Sequence, residues 1–101
     1  MKLDEAKCSR EGEVYRCTAV ISNRRGLHAR AAAKFVKLAR GFDAEVTVIK
    51  RGQTVSGRSI LGLMMLAAGP GTELEITAVG REAKEAIEVL SSIITAKFEE
   101  D

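Results

Sequence analysis

The chain has 101 residues, 46% of them hydrophobic and 30% charged, which fits one folded domain with a buried core and argues against wholesale disorder. No apolar run approaches the roughly 18 residues that would span a bilayer, and the opening MKLDEAKCSREGE lacks the apolar stretch of a secretory signal. A net charge of +2 with no Trp, one Tyr and three Phe leaves little surface for stacking on bases or sugars.

In chain order, residues 1–12 mix charges without periodicity and read as a flexible N-terminal extension ahead of a domain over 13–101. From Glu13 to Ser22 the pattern alternates, with Tyr15, Cys17, Ala19 and Ile21 on one face, the mark of a half-buried strand. Cys17 then faces inward as a small core residue, and Cys8 reads as an exposed thiol. Two cysteines are too few for a disulfide framework or a metal-binding pair, so a reducing, cytoplasmic setting is expected. Asn23–Gly26 is a turn. Residues 29–40 read as a helix whose apolar face is Ala32, Phe35, Val36 and Ala39, with Gly41 placed to end it.

Glu45 to Lys50 alternates again, and Arg51-Gly52 turns the chain into a short strand over 53–55. Ser59 stands at the N-cap position of a short apolar helix that runs to Leu66. Gly69-Pro70-Gly71 breaks the chain before a fourth strand over 72–78. Beyond Gly80 a last helix presents Ala83, Ala86, Ile87, Leu90, Ile94 and Phe98. The order is β-α-β-β-α-β-α. Four alternating strands imply a sheet with one covered and one wet face, hence a two-layer, open-faced α+β sandwich with its helices on one face.

The chemistry centres on His28, the one histidine, which lies where the first helix begins. The backbone N–H groups of Ala29, Arg30 and Ala31 have no partners inside the helix, and the helix dipole is positive there. Arg30 adds a fixed charge whose donors match phosphate oxygens. An imidazole so placed offers a ring nitrogen as nucleophile toward a phosphoryl group. The bland alternative is a histidine that only caps a helix. Charge distribution adds weight to the first reading. Arg24, Arg25, Arg30, Lys34, Lys37 and Arg40 lie together with no acidic residue among them, whereas residues 71–101 carry eight acidic residues against three basic. A basic face suits docking of an acidic partner. No P-loop or metal-ligand cluster stands out, and no cofactor is expected.

Gly26-Leu-His-Ala-Arg30, followed by an Ala-rich helix, resembles the active-site signature of the histidine-containing phosphocarrier family, HPr, of the bacterial phosphotransferase system. A second stretch, Gly57-Arg-Ser-Ile-Leu-Gly-Leu-Met-Met-Leu66, is similar to that family's regulatory-serine segment. The resemblance spans about residues 14–98. It implies a four-stranded antiparallel sheet in the order 1-4-2-3 with three helices on one side. It also implies that His28 carries phosphate on Nδ1, taken from enzyme I and passed to an EIIA-type acceptor. Arg30 and the backbone N–H groups of Ala29 and Arg30 would hold the phosphate, and Ser59 would be modified by the HPr kinase/phosphorylase. The protein would then be a carrier and not an enzyme.

The family usually has Pro where this chain has Ala31, which loses pre-organisation of the first turn but keeps an N–H. Arg25 stands where many relatives carry a small polar residue. Ala31 together with Gly-Leu-Met-Met-Leu-Ala-Ala is similar to the nitrogen-related phosphotransferase branch of alphaproteobacteria. Arg24, Arg25, Lys34, Lys37, Ile60, Leu63 and Met64 are the expected docking residues, on a monomer with no membrane insertion. One rival reading is a regulatory binding module that responds to Ser59 phosphorylation and relays nothing, which His28 opposes. Another is a nucleic-acid binder using the basic helix, which the few aromatics and the acidic C-terminal third oppose.

Overall fold

The alternating stretches of the sequence pair into one antiparallel sheet, and the apolar stripes of the helices close over one of its faces. The computed structural model describes residues 6–100. Its strands are β1 (Lys7–Glu11), β2 (Val14–Val20), β3 (Glu45–Lys50), β4 (Gln53–Ser56) and β5 (Glu73–Val79). Its helices are α1 (Ala29–Ala39), α2 (Ile60–Met65) and α3 (Ala83–Thr95), followed by a 3₁₀ turn over Lys97–Glu99.

The sheet order is β1-β2-β5-β3-β4. This corrects the expected four strands in the order 1-4-2-3. The four strands read from the sequence keep their mutual neighbours, and one further strand is added at the β2 edge. That strand falls in the segment expected to be a flexible extension. A two-residue turn, with Gly12 at φ +60°, folds β1 back so that Lys7 lies opposite Thr18 and Glu11 opposite Val14. All five β1 residues are exposed, so the strand buries nothing that alternation could reveal.

The core lies between sheet and helices. From the sheet come Cys17, Ala19, Val46, Val48, Leu74, Ile76 and Ala78; α1 supplies Phe35 and Val36, and α3 supplies Ile87, Leu90 and Ile94. Each large apolar side chain so buried contributes about 1.5–3 kcal/mol relative to exposure. Phe98 is also fully buried, although it lies in the turn after α3 and not on the helix itself. The opposite face of the sheet is polar, with Arg16 of β2 ion-paired to Glu75 of β5.

The cysteines depart from the sequence reading as well. Cys17 is buried as expected, but Cys8 is not a free thiol: the two residues face each other in the β1–β2 register and form a disulfide. An edge strand brings them together across a tight turn, a pairing that cysteine count cannot reveal.

Candidate phosphoryl-acceptor site

The loop between β2 and α1 sets the position of His28. Gly26 adopts φ +66°, and a β-carbon there would come within 2.5 Å of the Ala68 carbonyl oxygen. Glycine is therefore required on two counts, conformation and space. The close approach lets the Leu27 N–H donate to the Ala68 oxygen at 2.8 Å, which joins the loop before α1 to the loop after α2. Lys50 fastens the second loop from below, with Nζ donating to the oxygens of Leu66 at 2.7 Å and Ala67 at 3.3 Å. A cation on the last carbonyls of a helix complements its negative end.

His28 is the N-cap of α1. Its Nδ1 accepts from the Arg30 N–H at 3.2 Å, and its carbonyl accepts from the Ala32 N–H at 2.8 Å. The other ring nitrogen, Nε2, lies 2.9 Å from each carboxylate oxygen of Glu100. These contacts assign the tautomer: Nδ1 accepts and so bears a lone pair, while Nε2 faces a carboxylate and so carries the proton. The imidazole remains 22% exposed, within reach of an incoming protein.

Glu100 is the residue of the candidate site that sequence reasoning missed. It lies 72 positions from His28, and no local pattern announces it. Two anchors bring it there. Buried Phe98 seats the C-terminal turn, and Lys34 of α1 donates through Nζ to the Phe98 oxygen at 2.7 Å. Three consecutive residues, Lys97, Phe98 and Glu99, take positive φ values, which swings the chain back toward α1. Buried Asn23 completes the arrangement, its amide donating to the Gly26 oxygen at 2.8 Å and to Glu100 Oε1 at 2.9 Å. Hydrogen bonds from Asn23 and His28, with the charge of Arg25, hold the Glu100 carboxyl below the usual carboxylate range.

Arg24, Arg25, Arg30 and Glu100 line a cleft of 360 Å³ beside the imidazole. A second, shallower depression of 210 Å³ is lined by Arg25, Leu27, His28, Ala67, Ala68 and Gly69. Three of the residues expected to contact a phosphate or its donor thus share one opening with the carboxylate. Ala29 and Arg30 are exposed, and Ala31 is buried. Lys37 is exposed on α1, whereas Lys34 is half-buried on the C-terminal turn and is not a free docking charge.

Ser59 caps α2, its Oγ accepting from the Gly62 N–H at 2.9 Å. Of the expected apolar docking residues, Ile60 is 42% and Met64 41% exposed, but Leu63 is fully buried. This corrects the placement of Leu63: the turn of the helix points it, with Leu66, into the core. Leu61 and Met65 take its place outside, at 68% and 65% exposure. Among the described residues no group of three or more His, Cys, Asp or Glu is placed to hold a metal ion, and no helix is long and apolar enough to cross a membrane.

Comparison with known proteins agrees with this geometry. The family described as "PTS HPr component phosphorylation site" matches residues 15–96. Over 80 residues the chain is 46% identical to phosphocarrier protein HPr of Neisseria meningitidis serogroup A, covering 79% of this chain and 90% of that one. It is 41% identical over 80 residues to phosphocarrier protein NPr of Shewanella violacea, covering 79% and 88%. The crystal structure of HPr-C-His from Thermoanaerobacter tengcongensis superposes with a TM-score of 0.82 at 38% identity, covering 85% of this chain and 97% of that one. The chain belongs to the HPr family of the phosphotransferase system, whose members are phosphocarriers and not themselves enzymes.

Proposed function

We propose that this protein accepts a phosphoryl group on Nδ1 of His28 from enzyme I and hands it to an EIIA-type protein. The observation that carries the reading is the division of labour between the ring nitrogens. Nδ1 holds a lone pair toward the helix tip, and Nε2 holds a proton against Glu100.

The transfer follows from that arrangement. The Nδ1 lone pair attacks phosphorus as the donor's bond to it breaks. The Arg30 N–H, which now donates to Nδ1, turns to a phosphoryl oxygen, joined by the Ala29 N–H. Positive charge that develops on the ring is offset by Glu100 on the Nε2 side. Arg30, with Arg24 and Arg25 along the same cleft, offsets the charge of the phosphoryl oxygens. Positioning and electrostatics do most of the work in such a step, and the donor's own active site supplies the rest.

The exposed apolar residues of α2, Ile60 and Met64 with Leu61 and Met65, form the docking patch beside the basic tip of α1. Phosphorylation of Ser59 by an HPr kinase/phosphorylase would add a dianion at that patch and slow transfer to His28. The setting is cytoplasmic and the working form a monomer. Relatives named NPr and HPr both match the chain, so enzyme I of either branch is a candidate donor.

The test is direct. Incubation with enzyme I and phosphoenolpyruvate should add one acid-labile phosphate, absent from His28→Ala. Label that persists in that variant would place the acceptor elsewhere, and no label on the wild type with enzyme I of either branch would favour a module that relays nothing.

A further inference from the structure

The Cys8–Cys17 bond lies at the border of what the family shares. The family match begins at residue 15, so β1 lies outside it, and one of its residues is bonded to a core position of β2. Little else holds β1 in place. None of its residues is buried, and among the described residues its contacts beyond the ladder are few, one of them an exposed ion pair of Glu11 with Arg16 of β2 at 3.6 Å. The Arg10 guanidinium sits 5.1 Å over the Tyr15 ring, Arg10 Nε donates to the Gly12 oxygen at 2.8 Å, and Ala6 packs partly against the core. An edge strand with so little apolar burial belongs to the least stable part of a fold.

We propose that Cys8 and Cys17 form a reversible thiol–disulfide latch, which pins β1 across the edge of β2 when oxidised and releases it when reduced. Three observations carry this. First, the two residues are already opposed in register, at a non-hydrogen-bonded position of the ladder where facing side chains come closest. The bond therefore forms from the docked hairpin without rearrangement of the sheet. Second, Cys8 is exposed and Cys17 is fully buried. This fixes the sequence of events. The Cys8 thiolate attacks a low-molecular-weight disulfide, expelling one small thiol and forming a mixed disulfide. Cys17 then attacks the Cys8 sulfur and expels the second thiol. The protein pair loses two electrons, the small disulfide gains them, and the two cysteine protons pass to the departing thiolates. A small dithiol reverses both steps. Third, the bond joins the weakly held strand to the core, so its loss falls on β1 and leaves the other four strands their own packing.

Alternation along the ladder assigns the β1–β2 hydrogen bonds to the flanking pairs, Ser9 with Arg16 and Lys7 with Thr18. Their β2 amides report the latch. Residue-resolved hydrogen exchange is measured on the full chain after oxidised glutathione, after a dithiol, and for Cys8→Ser under both conditions. Oxidised glutathione should yield a monomer lighter by two hydrogen atoms. Reduction should speed exchange at Arg16 and Thr18 by about tenfold or more while β5 and α3 are unchanged. Cys8→Ser should exchange at the fast rate in either condition. Two results would overturn the latch: no intramolecular bond after oxidation, or the same exchange at Arg16 and Thr18 in both redox states. The readout uses no phosphoryl transfer, so it stands apart from the His28 assay.

Discussion

Two helices of this protein begin with a side-chain cap, and the two caps are built for different purposes. At α2, the Ser59 oxygen meets the Gly62 N–H at 2.9 Å, an ordinary cap on a six-residue helix with no acidic residue in its first turn. At α1, the cap is an imidazole that reaches the Arg30 N–H at a longer 3.2 Å. Its far nitrogen is held by a carboxylate from the other end of the chain, and three arginines line the neighbouring cleft. A hydroxyl cap spends its lone pair on stability. The histidine cap keeps a lone pair lightly engaged, next to donors able to receive an anion. A helix start becomes a reactive site through what surrounds the capping atom, not through capping itself.

Substitutions can press on that contrast. The largest effect is expected from Arg30→Ala. It removes the fixed charge at the α1 tip but leaves the backbone donors, and should slow phosphoryl transfer by about 10²-fold, the scale of losing one transition-state donor. Stopped-flow transfer from phosphorylated enzyme I would measure it. A rate unchanged within twofold would mean that backbone N–H groups and the donor protein supply the field by themselves.

At α2 the change should register in stability. Ser59→Ala should cost roughly 0.5–2 kcal/mol in a urea melt, with His28 labelling retained. Ser59→Asp should keep the fold, because negative charge suits a helix N-terminus, yet lower the rate of transfer through the docking patch. Equal transfer rates for Ser59→Asp and the wild type would detach α2 from the reaction.

The smallest effect concerns Glu100. Its carboxyl titrates below the ordinary range when folded, so the contact contributes its full stability above that range and loses it as pH falls through the depressed value. The difference in Tm between wild type and Glu100→Gln should therefore be present at neutral pH and vanish in acid. A difference that stays constant down to low pH would show that packing of the C-terminal turn, and not the charge, is what Glu100 provides.

Most of the fold could be read from the residues. Alternation in 14–20, 45–50 and 73–79 and the stripes of α1 and α3 arise from burial, and burial leaves a periodic trace. Where burial is absent the trace is absent too, which is why β1 escaped notice. Of the proposed site, His28 and Arg30 stand out in the sequence, because a glycine turn, a histidine and a basic first turn are neighbours there. Glu100 and Asn23 do not, since their contact depends on a turn at Lys97–Glu99 built from residues with no special liking for positive φ. The basic stripe of α1 likewise read as uniform, although Lys34 serves the C-terminal turn and Lys37 faces solvent.

The tight crossing at Gly26 governs how the loop before α1 and the loop after α2 answer to each other. With a β-carbon excluded at 2.5 Å from the Ala68 oxygen, the segment bearing the imidazole and the segment leaving α2 abut without a cushion of side chains. A nudge delivered to one is handed to the other through main chain alone. Swapping Gly26 for even alanine would pry open this seam and disturb, in a single stroke, the posture of the ring and the proposed landing platform on α2.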